Sequence, residues 1–171
     1  MGGRVLEGDS RLLKYRSELG AVLAQHPGNC DAVFESARAS ILLGERSAAI
    51  AVLQAGLHVS SDDRLSRLLS ETLTADVESR LTAGNADAEW LVRNLQEAEF
   101  NDSGRPAVVL LLCDLELLGV ETGLLQWVDW EGLLSRTADT RDTPRAVRES
   151  YLLAGILLER PELVELAAES L

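Results

Sequence analysis

Residues 41–47 read Ile41-Leu42-Leu43-Gly44-Glu45-Arg46-Ser47, and this stretch decides the fold. A Leu-Leu pair closes a helix-spaced apolar run, and Gly44 supplies the left-handed residue on which helices stop. Ser47 has the short hydroxyl side chain suited to cap the next helix. The same grammar recurs in Glu116-Leu117-Leu118-Gly119-Val120-Glu121-Thr122 and in Ile156-Leu157-Leu158-Glu159-Arg160-Pro161. In the last, Pro161 takes the first helical position, where its missing N–H costs nothing. A further stop stands at Gly84. The turns at Gly44, Gly84, Gly119 and Glu159 are spaced roughly 40, 35 and 40 residues, the period of an array of helical hairpins.

Outward from these turns, apolar residues recur at helical spacing almost throughout, and a period of two is nowhere sustained. The pattern predicts nine helices and no strand. The first runs from Asp9 to Gln25 with Leu12, Leu13, Leu19, Val22 and Leu23 on one stripe, ended by His26-Pro27-Gly28. Asp31–Leu43 and Ser47–His58 follow, the latter with Ile50, Leu53 and Leu57 inward. Ser60-Ser61-Asp62-Asp63 opens a long helix to Ala83. Asp87 caps Ala88–Phe100, Pro106 starts a helix through Leu118, and Thr122 one to Ser135. After a polar loop, Thr137–Thr143, Pro144 and Pro161 begin the last two. The expected architecture is all-α: an α-α superhelix of about four hairpins (31–59, 62–100, 105–135 and 144–170) behind one N-terminal helix, a single domain over 1–171. A closed bundle of nine helices is the alternative.

Composition agrees. Hydrophobic residues are 46% of the chain and aromatics only 4%, the bulk being Leu, Ala and Val; Leu and Ala lose little rotamer freedom in a helix. The net charge of −12 is lopsided: residues 1–60 hold six basic and six acidic residues, residues 61–171 ten and 22. Such a chain is repelled by nucleic-acid phosphates and anionic membrane surfaces. No window approaches 18 uncharged apolar residues, so no membrane span is expected. The N-terminus lacks the apolar stretch of a secretory signal, which makes a cytoplasmic address the default. Arg outnumbers Lys fifteen to one, the coding bias of a GC-rich bacterial genome.

Residues 31–63 resemble a tetratricopeptide repeat. Gly44 stands at the inter-helix turn, Ala37 at the small position of the first helix, and Ala49-Ile50 and Gly56-Leu57 follow at the repeat's distances. Pro27-Gly28-Asn29 is similar to the tail of a preceding repeat. Val33 and Ser40 depart from the pattern, which has bulky aromatics there, and Glu89, Leu124 and Val164 replace the small residue of Ala49 in the other hairpins. The resemblance implies a superhelix that binds peptides or helices along the first helices of its hairpins. On the matching hairpin that stripe is Asp31, Phe34, Arg38 and Ile41, with Phe34 an apolar anchor and Arg38 a fork for a carboxylate.

Residue types that carry chemistry are sparse. Cys30 and Cys113 lie far apart, with no metal-ligand or redox spacing, and Cys113 reads as a buried hydrophobe. His26 and His58 fall at helix ends. Neither a metal-protease, a serine-hydrolase, a phosphate-loop nor an EF-hand motif is present, so no catalytic residue, metal or cofactor is expected. Trp127 and Trp130, three apart on one predicted face, are either core or a partner-binding anchor, and Trp90 reads as core. The apolar C-terminal helix lacks the polar cap of a solenoid end, which admits a homodimer through an exposed helix face. The expected function is therefore that of a tetratricopeptide-like adaptor or chaperone holding a peptide or helix, a basic one included, and not an enzyme. A structural or accessory subunit of a larger complex is the alternative, ahead of a helical enzyme with an unrecognised site.

Overall fold

The computed structural model describes residues 7–84, 87–103, 105–120, 122, 123, 125, 128 and 145–169. Among these residues there are eight α-helices and no strand: α1 (Glu7–Gln25), α2 (Cys30–Leu42), α3 (Arg46–Leu57), α4 (Asp63–Thr82), α5 (Ala88–Asn101), α6 (Pro106–Leu117), α7 (Arg145–Leu157) and α8 (Pro161–Glu169). The ninth predicted helix, Thr122–Ser135, and the loop after it lie largely outside the described residues.

Several helix starts and stops have a local cause. Asn29 accepts the Ala32 N–H at 3.1 Å, Asp62 the Arg64 N–H at 2.8 Å and Asp87 the Glu89 N–H at 3.4 Å, which satisfies donors that have no partner inside the helix. The four expected stops all take positive φ: Gly44 at 76°, Gly84 at 67°, Gly119 at 81° and Glu159 at 53°. At Gly44 the Glu45 N–H donates back to the Ser40 carbonyl at 2.9 Å; at Gly119 the Val120 N–H reaches the Leu115 carbonyl, and at Glu159 the Arg160 N–H reaches that of Gly155. These are the paired bonds of a Schellman stop. The same bond corrects one expectation. It brings the chain back to helical geometry at once, so α3 begins at Arg46 behind Glu45, whose side chain makes no capping bond, and Ser47 sits inside the first turn.

The chain forms two compact units, residues 1–76 and 77–171, with α4 crossing the boundary between them. In the first unit α1 packs on α2 and α2 on α3; in the second α5 packs on α6, α6 on α7 and α7 on α8. The α6–α7 pair joins first helices of different hairpins, the side-by-side packing a hairpin array requires.

Small residues set the closeness of these contacts. Ala37, Ala49 and Leu53 are fully buried, and a Cβ built on Gly56 of α3 would lie 2.6 Å from Cγ1 of Val33 on α2. Val33, a departure from the repeat pattern, is thus the side chain that fills the space Gly56 leaves. In the second unit Gly155 does the same for Val164, at 2.7 Å. Truncating a fully buried leucine such as Leu53 or Leu112 costs about 2–5 kcal/mol. Arg16 of α1 pairs with Glu45 and donates to the Ser40 hydroxyl at 3.5 Å, tying α1 to the end of α2. Cys113 is buried as expected, and that burial, with Asp114 and Glu116 nearby, pushes its thiol pKa up to about 12. Trp90 departs from its core reading: it is half-buried, and its ring carries the Arg80 guanidinium 3.9 Å from the centroid, a cation–π contact at the water boundary.

Candidate partner-binding face

The predicted stripe on α2 forms one side of a mixed aromatic and charged face. The Asn29 cap fixes the first turn, and the helical period then places Asp31, Phe34, Arg38 and Ile41 along one edge. Asp31 and Arg38 are exposed, while Phe34 and Ile41 are half-buried. Phe34 is flanked by two guanidinium groups, Arg38 and Arg64, each 5.8 Å from the ring centroid. Arg38 comes from the next turn of α2 and donates to Glu35 at 3.2 Å. Arg64 comes from the start of α4.

Arg64 is the residue that reading the sequence misses. Its Nη2 donates to Asp31 at 3.0 Å and to Asp62 at 2.9 Å, and its Nε to Asp62 at 3.2 Å. Hydrogen bonds from Arg64, first through the side chain and then through its backbone N–H, hold the Asp62 carboxyl down at about 2, and Asp62 followed by Asp31 raises the Arg64 pKa in turn. Arg64 lies 33 residues beyond Asp31, close to one repeat length. That spacing was the available signal, but Asp62-Asp63-Arg64 reads equally as a solvated helix start. The face therefore joins Asp31, Phe34, Arg38 and Arg64, with Ile41 one turn further along α2. Trp127 and Trp130 lie outside the described residues.

Chemically the face offers a flat apolar ring between two planar cations whose forks are each already engaged. Exposed ion pairs of this kind are worth only about 0–1 kcal/mol, so an incoming carboxylate or backbone carbonyl exchanges with Glu35 or Asp31 at little cost. Elsewhere, Ala88, Glu89, Val92, Arg93, Gln96 and Val120 line an open depression of about 440 Å³. Among the described residues no group of three or more His, Cys, Asp and Glu is arranged to hold a metal ion. No described helix is long and apolar enough to cross a membrane.

No family model and no curated protein sequence matches the chain. Among solved structures it is similar to the crystal structure of MamA, with a TM-score of 0.51 and 14% identity over 91% of this chain and 85% of that one. The likeness is one of fold: all-α, built of tetratricopeptide-like hairpins.

Proposed function

We propose that this protein is an interaction module, an adaptor or chaperone that holds a segment of another protein, and that it is not an enzyme. The observation that carries the reading is Phe34 set between Arg38 and Arg64 on the first helices of adjacent hairpins. An aromatic anchor beside arginine forks is the composition of a binding hot spot, and hairpin arrays present such surfaces along their first helices. The surroundings suit binding better than catalysis. His26 and His58 are both exposed at helix ends, and the Cys113 thiol is held protonated by burial, so neither supplies a positioned base or nucleophile.

The test compares affinity purifications with wild-type chain, Arg38→Glu and Phe34→Ala as baits, each followed by mass spectrometry. Arg38→Glu is expected to lose a specific partner at least about tenfold while the melting temperature stays within about 2 °C, because an exposed ion pair contributes little to folding. Retention of the same partners by both variants rules the α2/α4 face out.

A further inference from the structure

The depression along α5 has a charge pattern that the α2/α4 face does not. The core side of α5 is Leu91, Leu95 and Ala98, all buried. Its other side is Ala88, Glu89, Val92, Arg93 and Gln96, which with Val120 beyond α6 line the open space of about 440 Å³. Val92 and Val120 are half-buried and the other four are exposed. Apolar side chains therefore stand in a concave surface where the outer side of an amphipathic helix is ordinarily polar.

Glu89 and Arg93 follow each other by one turn, in the order and at the spacing that usually pairs on a helix. Here they do not pair. Among the described residues neither side chain, nor the Gln96 amide, makes a hydrogen bond or an ion pair. Such a pair contributes only about 0.2–0.5 kcal/mol within one helix, so leaving it open costs little. An anion, a cation and an amide are all available to something outside the chain.

The shape and the order of the charges narrow what that is. Small-molecule sites enclose most of their ligand, whereas most of the residues lining this depression are exposed. Residues 77–171 carry eight Arg against 18 Asp and Glu, which repels nucleic acids and anionic lipid surfaces. A protein surface is left, and symmetry selects which one. Four residues of α-helix advance one turn plus about 40°, so Glu89 and Arg93 lie on the same flank of α5. A two-fold axis that crosses the helix between them reverses its direction and keeps that flank against itself. Glu89 of one copy then falls opposite Arg93 of the other, Arg93 opposite Glu89, and the two Val92 side chains meet close to the axis. A patch that carries both members of its own ion pair is self-complementary, as an isologous interface requires.

We infer that the α5 depression is a two-fold interface between two copies of this chain, with the α5 helices antiparallel and an intermolecular Glu89–Arg93 pair on either side of the axis. One helix and the segment at Val120 make a small face, so the dimer is weak and reversible rather than obligate. The inference uses no residue of the α2/α4 face.

The test is analytical ultracentrifugation of the full chain from about 1 to about 500 µM at about 0.15 M salt, where a Debye length of about 8 Å screens the repulsion between the two acidic bodies. Wild-type chain is expected to pass from monomer to dimer over that range. Glu89→Arg and Arg93→Glu should each weaken dimerisation by about tenfold or more, because each sets like charges face to face. The exchanged variant, Glu89→Arg with Arg93→Glu, should return to within about threefold of wild type, and an equimolar mixture of the two single variants should form a heterodimer at least as tight as the wild-type dimer. Both positions are exposed, so the melting temperatures should stay within about 3 °C of wild type. Phe34→Ala and Arg38→Glu should leave the dimer unchanged, which separates failure here from failure of the α2/α4 reading. Three results would each overturn the inference: a wild-type monomer over the whole range, including one that captures a different protein through this face; a dimer that neither single reversal weakens; or reversals that weaken it without recovery in the exchanged variant.

Discussion

Glu159 shows how much one backbone angle decides. It ends α7 with φ at 53°, in the place where Gly44, Gly84 and Glu159's other counterpart, Gly119, end theirs. A side chain in the left-handed region crowds its own carbonyl and costs about 1 kcal/mol, and the neighbouring bonds of the stop hold it there. Glu159→Gly is expected to stabilise the protein by roughly 0.5–1 kcal/mol, part of the relief being offset by the greater freedom of an unfolded glycine. Urea unfolding checks it, and an unchanged or lower midpoint would mean that the turn is not strained. Phe34 makes the complementary point. Its identity was legible as an anchor, but its setting between Arg38 and Arg64 follows from packing that joins residues a repeat apart.

At the scale of elements, Glu116 acts as a clasp between the end of α6 and the segment beyond Gly119. Its Oε1 accepts the Thr122 hydroxyl at 2.6 Å and the backbone N–H groups of Thr122 at 2.8 Å and Gly123 at 3.2 Å. Burial pushes its pKa up, but these three bonds outweigh it and hold the carboxyl below its ordinary value of 4.5. A carboxyl whose folded pKa is depressed contributes stability above its unfolded value and loses it as pH falls through the folded one. Glu116→Gln is therefore expected to cost about 1 kcal/mol at pH 7. The gap to wild type should narrow as the pH falls below 4.5 and through the depressed folded value, a trend visible in thermal melts across a pH series. A gap that widens in acid would mean that the carboxylate is not the stabilising form. The turn hidden in Leu118-Gly119 was readable from the sequence; the reach of Glu116 across it was not, because a glutamate three residues before a stop looks like any exposed charge.

The charge is distributed over the whole molecule unevenly, with residues 1–76 at net −2 and residues 77–171 at net −10. Repulsion inside the second unit opposes folding wherever salt does not screen it. Raising ionic strength from about 0.01 M to about 0.15 M shortens the Debye length from about 30 Å to about 8 Å. The melting temperature is expected to rise over that range by a few degrees, about 2–4 °C. Differential scanning calorimetry measures the shift, and a fall would show that the exposed ion pairs, such as Arg64–Asp62, outweigh the repulsion.

Among the described residues the sequence by itself determined where helices lie and where they stop, though not every cap, because apolar period and left-handed turn positions act over a few neighbouring residues. Gly44, Gly84, Gly119 and Glu159 were all found this way, and so was the hairpin period they mark. Only the tertiary structure decided which side chains meet. Arg64 reaching Asp31 across 33 residues, Val33 filling the space over Gly56, and Asp114 lying near Glu149 on the adjoining helix are products of how one helix is turned against another. That rotation is set by the summed packing of many buried atoms, and no short stretch of the chain carries it.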